Sequence, residues 1–261
     1  MGRVQDKVCL VTGGGSGLGR ADALALAREG AKVVVTDINR QGGEETVQQA
    51  GGSAIFIAHD VAERDQWERV IAQTLDHFGE LNVVVNNAGM VRPGTVESCS
   101  WEDYRLHQRI HMDGTYLGLK YGIETIKRNG RPGSIINMAS TTAIMGYKDV
   151  FAYAACKGAV RSMTNAAAIH CQQERYNIRV NCLLPGVIVT PLVLGLRAET
   201  AGTGEAEQIQ EQAGDPKPGP GLGEPMDVGH TVLFLASDES KFINGAELRI
   251  DNAACVNPAP L

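Results

Sequence analysis

The chain has 261 residues, 43% of them hydrophobic, 21% charged and only 5% aromatic, with 31 glycines and 10 prolines. This is the composition of a soluble globular chain able to bury a sizeable core, and it excludes collagen-like and disordered classes. With 24 basic and 30 acidic residues the net charge is −6, a field that repels phosphate polymers, so neither nucleic acid nor an anionic membrane is an expected partner.

No apolar stretch approaches the length of a membrane span and the start carries no signal-peptide pattern, so a cytoplasmic location is expected. Six cysteines (Cys9, Cys99, Cys156, Cys171, Cys182, Cys255) are scattered without a CxxC pair. They read as reduced thiols packed as small hydrophobes. The six histidines lie too far apart for a metal motif, and no metal is expected.

From the N-terminus, Val8–Thr12 is a continuous apolar run of strand length. It leads straight into Gly13-Gly14-Gly15-Ser16-Gly17-Leu18-Gly19 and a helical segment over 18–28. Further strands are read at 32–36, Ala54–Ala58, 83–85, 134–138, 178–183 and Glu247–Ile250, with helices at 66–78, 101–127, Phe151–Gln173 and 227–235. Sustained strand–helix alternation predicts a single-domain, doubly wound α/β fold of Rossmann type, a seven-stranded parallel sheet with helices on both faces. One stretch breaks the rhythm. Residues 190–225 are rich in Gly, Pro, Glu and Gln, and they read as a lid inserted into the domain spanning 1–261.

The glycine turn between the first strand and helix lets backbone approach a pyrophosphate, whose charge the helix N-terminus stabilises. Gly13, Ser16, Gly17, Leu18 and Gly19 are its binding candidates. Asp37 closes the second strand, where a carboxylate suits the ribose hydroxyls and repels a 2′-phosphate. NAD is therefore the expected cofactor over NADP, with Arg40 the nearest base. At this stage a methyltransferase, which also opens with a glycine-rich turn and an acidic second strand end, stays open.

Tyr153 and Lys157 stand four apart on one helical face, and Ser140 follows the fifth strand at the carboxyl edge of the sheet. A tyrosine of reference pKa about 10 needs roughly 4 kcal/mol of differential stabilisation to work near neutrality, about what one cation at ~4 Å supplies. Lys157 is the candidate cation, helped by an oxidised nicotinamide ring, and Ser140 the candidate that polarises a substrate oxygen.

Together the glycine turn, Asn86-Asn87-Ala88-Gly89, Ser140, the Tyr153/Lys157 pair and Pro185-Gly186 leading to Thr190 resemble the short-chain dehydrogenase/reductase family. The resemblance spans nearly the whole chain. Several segments, among them 81–87 and 233–240, are similar to bacterial 3β/17β-hydroxysteroid dehydrogenases, although such segments lie in the cofactor scaffold and are shared more widely. Carried over by motif, the family implies that Asp60 and Val61 meet the adenine. It gives Asn86, Asn87, Ala88 and Gly89 to the adenosine side and central sheet. Pro185, Gly186, Ile188 and Thr190 go to the nicotinamide side, and Ser140, Tyr153 and Lys157 to catalysis.

The chain departs from the family in one place: His111 stands where a fourth catalytic residue, an asparagine, is usual. There the asparagine fixes a helix bend and holds a water, and histidine either preserves that relay or has lost it. Around the expected nicotinamide, Met90, Met145, Val187 and Leu192 line an apolar substrate side. The leading reading is an NAD-linked oxidoreductase interconverting a bulky apolar secondary alcohol and its ketone, steroids first. A cyclic, aryl or 3-oxoacyl substrate and a non-catalytic NAD sensor are the alternatives. By resemblance the assembly is a homotetramer.

Overall fold

The computed structural model describes residues 2–201 and 222–256. In chain order they form β1 (Val8–Thr12), α1 (Gly17–Arg28), β2 (Lys32–Asp37), α2 (Arg40–Ala50), β3 (Ala54–Ala58), α3 (Arg64–Phe78) and β4 (Val83–Asn86). There follow α4 (Trp101–His107), a π-helical turn (Gln108–Asp113), α5 (Gly114–Ile126), β5 (Gly133–Met138), α6 (Phe151–Gln173) and β6 (Ile178–Pro185). The last elements are α7 (Pro191–Ala201), α8 (Pro225–Ala236) and β7 (Glu247–Ile250).

All seven strands pair in parallel, in the order β3-β2-β1-β4-β5-β6-β7. Strand alternation divides the apolar side chains into two cores. Cys9, Val11, Val33, Val35, Val85 and Ile136 face Ala23, Leu26, Val228, Val232 and Leu235 of α1 and α8. Val8, Leu10, Val34, Val84 and Ile135 face Trp67, Val70, Leu117 and Ile126 on the other side. Each such Val or Leu contributes roughly 1.5–3 kcal/mol on burial, and burial on both sides explains why the strands read as continuous apolar runs.

The chain winds outward from β1 to β3 and then returns to β4 on the other side of β1. This reversal opens a crevice beyond the carboxyl ends of β1 and β4, where open α/β sheets bind ligands.

Helix α5 lies close to the sheet because Gly118 and Gly122 present no side chain to it. A Cβ on Gly118 would stand 1.9 Å from Asn86 Oδ1, and one on Gly122 3.1 Å from Val84 Cγ2. Asn86 is turned inward. Its Nδ2 donates to Asn137 Oδ1 at 2.8 Å, and Asn137 Nδ2 donates to Thr164 Oγ1 at 2.9 Å, a buried polar ladder from β4 through β5 to α6.

Three sequence expectations change. The long helix over 101–127 is interrupted by the π turn, which no local composition signals. Helix α2 was not expected, since it is polar and contains Gly42 and Gly43. It forms because Asn39 caps it by accepting from Gly42 N–H, and because Gly43 leaves space for the Phe56 ring, 2.1 Å from where a Cβ would be. Within the expected lid, Pro191–Ala201 is helix α7, while 202–221 lies outside the described residues.

Asp22 of α1 stands apart. It is fully buried, and neither carboxylate oxygen has a hydrogen-bond partner. Burial raises its pKa well above the usual carboxylate range.

Candidate active site

A cavity of about 300 Å³ fills the crevice. Its first wall is the glycine turn. Gly13 takes φ +65°, and a Cβ there would stand 2.7 Å from Ala88 Cα, so only glycine fits both the conformation and the approach. Gly17 opens α1 at φ +52°. Ser16 caps the helix without a side-chain hydrogen bond, leaving the first-turn N–H groups toward the cavity it lines. Gly19 is not among the residues lining this cavity; a Cβ there would stand 2.2 Å from Gly13 O, so it packs helix against turn.

Asn87 ties β4 to this turn. Its Nδ2 donates to Thr12 O at 2.9 Å and Gly13 O at 3.2 Å, and the N–H groups of Asn87 and Ala88 both donate to Thr12 Oγ1. Asn86 is not in the cavity, because strand alternation gives it to the polar ladder beneath.

At one end of the cavity stand Asp37, Ile38, Asp60 and Val61. The Asp37 carboxylate accepts Gly15 N–H at 2.9 Å and Asn39 N–H at 2.8 Å, which fix it facing the turn. No arginine is among the described residues lining the cavity, and Lys157 is its one lysine. Arg40 is engaged with Glu44 at 3.1 Å, and Arg20 with Gly15 O, Gly42 O and Glu45. His59 also lines this end, hydrogen-bonded through Nδ1 to Thr36 Oγ1, and sequence reading missed it because a lone histidine after a strand carries no motif.

The other end gathers Ser140, Tyr153, Lys157, His111, Met90, Pro185, Gly186, Ile188, Thr190 and Leu192. Ser140 is placed by the end of β5. Tyr153 and Lys157 share a face of α6, the lysine Nζ lying 5.4 Å from the tyrosine ring centroid and donating to Met138 O at 2.5 Å. Burial brings the Lys157 ammonium down to about 8, against the opposing influence of the Cys182 and Cys156 thiols. Burial pushes the Tyr153 hydroxyl up to about 12, outweighing the hydrogen bond with Ser140 that lowers it. In the coenzyme-free chain, desolvation of the phenolate thus outweighs the hydrogen bond with Ser140.

A second cavity of about 360 Å³ shares Ser140, Tyr153, Gly186, Leu192 and Val193 with the first. Its remaining wall includes Val91, Val150, Val187 and Leu196, with Lys148, Asp149 and Arg197. Of the expected substrate residues, Leu192 lines both cavities, Met90 the first and Val187 the second. Met145 lines neither; it follows the short helical turn Thr141–Ala143, which leaves its side chain 36% exposed.

His111 sits in the π turn, 1% exposed. Its Nε2–H donates to Met90 O at 2.7 Å, its ring meets Tyr153 edge-on at 5.3 Å, and its buried Nδ1 has no partner. Burial and the charge of Lys157 hold its pKa well below the ordinary value, so it is neutral at physiological pH. The described residues contain no group of three or more His, Cys, Asp or Glu side chains able to hold a metal, and none of their helices is long and apolar enough to cross a membrane.

A family model described as enoyl-(acyl carrier protein) reductase matches residues 13–252, from the glycine turn through β7. The chain is a short-chain dehydrogenase/reductase. Similar members of this dehydrogenase/reductase family include the NADP-dependent (R)-specific alcohol dehydrogenase of Lentilactobacillus kefiri, 39% identical with 95% of this chain and 96% of the relative covered. The 3-beta-hydroxysteroid dehydrogenase of Comamonas testosteroni is 38% identical, with 96% of each chain covered. Among solved short-chain dehydrogenase/reductase structures, that of levodione reductase superposes with a TM-score of 0.86 at 31% identity, covering 95% of this chain and 97% of that one.

Proposed function

We propose that this chain is an NAD-dependent alcohol dehydrogenase that interconverts a secondary alcohol and its ketone on a bulky apolar skeleton, a hydroxysteroid being the first candidate. One observation carries the reading: Ser140 and Tyr153 stand on the wall common to two cavities, a polar-ended one and a mainly apolar one. A reacting carbon on that wall is reached from both sides.

The first cavity fits a dinucleotide. Its glycine cradle leaves no room for a Cβ at Gly13, its helix start has no side-chain cap, and carboxylates stand at its far end. Gly13, Ser16, Gly17 and Leu18 would hold the pyrophosphate, Asp37 the adenosine ribose and Asp60 and Val61 the adenine. Asn87, Ala88 and Gly89 would line the middle, with Pro185, Gly186, Ile188 and Thr190 at the nicotinamide. The bound coenzyme supplies hydride acceptance or donation. Asp37, with no arginine among the described residues of the cavity wall, supports NAD over NADP, although one similar relative is NADP-dependent.

In the substrate reaction Ser140 orients the alcohol or carbonyl oxygen and Tyr153 exchanges its proton. Since burial keeps the Tyr153 hydroxyl protonated in the free chain, the resting form is the proton donor. Lys157, anchored on Met138 O, is the one lysine or arginine among the described residues that line the first cavity. The second cavity is at the small end of the range that encloses drug-sized apolar ligands, and the name of the Comamonas testosteroni relative supports a steroid. The homotetramer rests on the family resemblance alone, and light scattering would test it.

A panel of secondary alcohols including 3- and 17-hydroxysteroids, followed by NADH absorbance, tests the function. Tyr153→Phe is expected to lose at least a hundredfold in kcat while coenzyme Kd stays within about twofold. Retained turnover in that variant would refute the acid–base assignment.

A further inference from the structure

Two buried histidines one helical turn apart grip the segment that follows β4. His107, 0% exposed, has Nδ1 2.7 Å from Asp103 O. A carbonyl only accepts, so Nδ1 carries the proton and Nε2 is left to accept Arg92 N–H at 3.3 Å. His111 has the opposite tautomer: Nε2 faces both Met90 O at 2.7 Å and Met90 N–H at 3.4 Å, and the short contact to a carbonyl, which only accepts, puts the proton on Nε2. The two rings stack at 6.0 Å with an interplanar angle of 16°, and His111 continues the column edge-on into Tyr153.

The backbone is shaped for this. A Cβ on Gly89 would stand 2.7 Å from His111 Cε1, so the glycine makes way for the ring. On the outside, the Arg92 guanidinium binds the Asp103 carboxylate, and Asp103 is also the residue whose carbonyl holds His107. Met90 lines the first cavity and Val91 the second. The two imidazoles therefore connect a wall of both cavities to the ring that carries the reacting hydroxyl.

We propose that His107 and His111 are positioning residues that clamp the Met90–Arg92 backbone to the Tyr153 ring and so set the width of the substrate cavity. The proposal rests on the dehydrogenase reading for its effect on turnover, but the clamp itself is measurable without turnover. Replacing His107 by phenylalanine keeps the stack and removes both hydrogen bonds; glutamine places an acceptor where Nε2 was. His107→Phe is expected to lower the ratio of kcat/KM for the bulkiest alcohol turned over to that for propan-2-ol by about tenfold, because small displacements of a positioning wall are costly. His107→Gln is expected to restore it to within about threefold of the parent, with coenzyme Kd unchanged in both. A purely structural role would lower kcat for both alcohols alike and leave the ratio fixed.

In the parent protein, long-range 15N–1H spectra are expected to show His107 as the Nδ1–H tautomer and His111 as the Nε2–H tautomer, and slow exchange of the Arg92 amide. An unchanged ratio in His107→Phe, a glutamine variant as impaired as phenylalanine, or the reverse tautomers would each overturn the clamp. Reverse tautomers in the parent spectra would overturn the clamp even if a variant fails to fold. Failure of Tyr153→Phe to abolish turnover would instead strike the reaction and leave these spectra untouched.

Discussion

Replacing Asp22 with asparagine should stabilise the protein by an amount that grows with pH. In the fold this carboxyl is wholly buried with neither oxygen bonded, and its pKa lies well above the usual range. In the unfolded chain it titrates near pH 3.9. Between those two values the native state holds a proton that the unfolded state has released, so stability falls as pH rises through the window. The slope is about 1.4 kcal/mol per pH unit, and full burial leaves no solvent screening to discount. Each pH unit inside that window is worth about 3–6 °C in Tm, at the roughly 2–4 °C per kcal/mol of a chain of this size. Asparagine keeps the shape and the unbonded polarity but cannot ionise. Thermal unfolding by circular dichroism at pH 4, 5 and 6 should give nearly equal Tm values for parent and variant at the lowest pH and a widening gap above it. Parallel Tm curves would refute the reasoning, because they would mean that Asp22 is charged, or neutral, alike in both states.

Four other outcomes follow from the geometry. Asp37→Ala should reduce the preference for NAD over NADP by at least tenfold, measured as the ratio of the two kcat/KM values, and an unchanged ratio would remove Asp37 from coenzyme choice. In the coenzyme-free protein Lys157 should lose its proton near pH 8 rather than 10.5, visible in the 13Cε resonance of labelled lysine. With its folded pKa depressed, this group adds stability as pH climbs from about 8 to 10.5, and a midpoint above 10 would contradict its burial. Gly118→Ala should cost about 1–3 kcal/mol in urea unfolding, since its methyl would collide with Asn86 Oδ1. Asn87→Ala, losing bonds to Thr12 O and Gly13 O, should weaken NADH binding about tenfold by fluorescence titration; an unchanged Kd would make those bonds irrelevant to the cradle.

The centre of the sheet was legible because β1, β4 and β5 are buried on both faces, so that Val8–Thr12 announces itself as an apolar run of the right length. The placement of Ser140, Tyr153 and Lys157 was legible too, because helical spacing and strand ends convert sequence distance directly into shared faces. What stayed hidden depends on contacts between segments distant in the chain. Helix α2 exists because Gly43 admits Phe56 from the neighbouring strand. The inward turn of Asn86 follows from its pairing with Asn137 across the sheet. The pull of Lys157 and an oxidised nicotinamide ring on the tyrosine acts against burial, which in the coenzyme-free chain disfavours the charged forms of both side chains, and burial is a property of the whole fold.

The π turn has a consequence for the long segment that contains it. A π turn accommodates one residue more than an α-helical turn does, which shifts helical phase by about 100° relative to an uninterrupted helix. The α4 half aims His107 at the segment after β4, while the α5 half aims Gly118 and Gly122 at the sheet. Removing one residue from 108–113 would let the segment become regular, and only one of those two alignments would survive. Chain length in this turn is therefore a geometric specification in its own right, on which the site depends as much as on the side chains that face it.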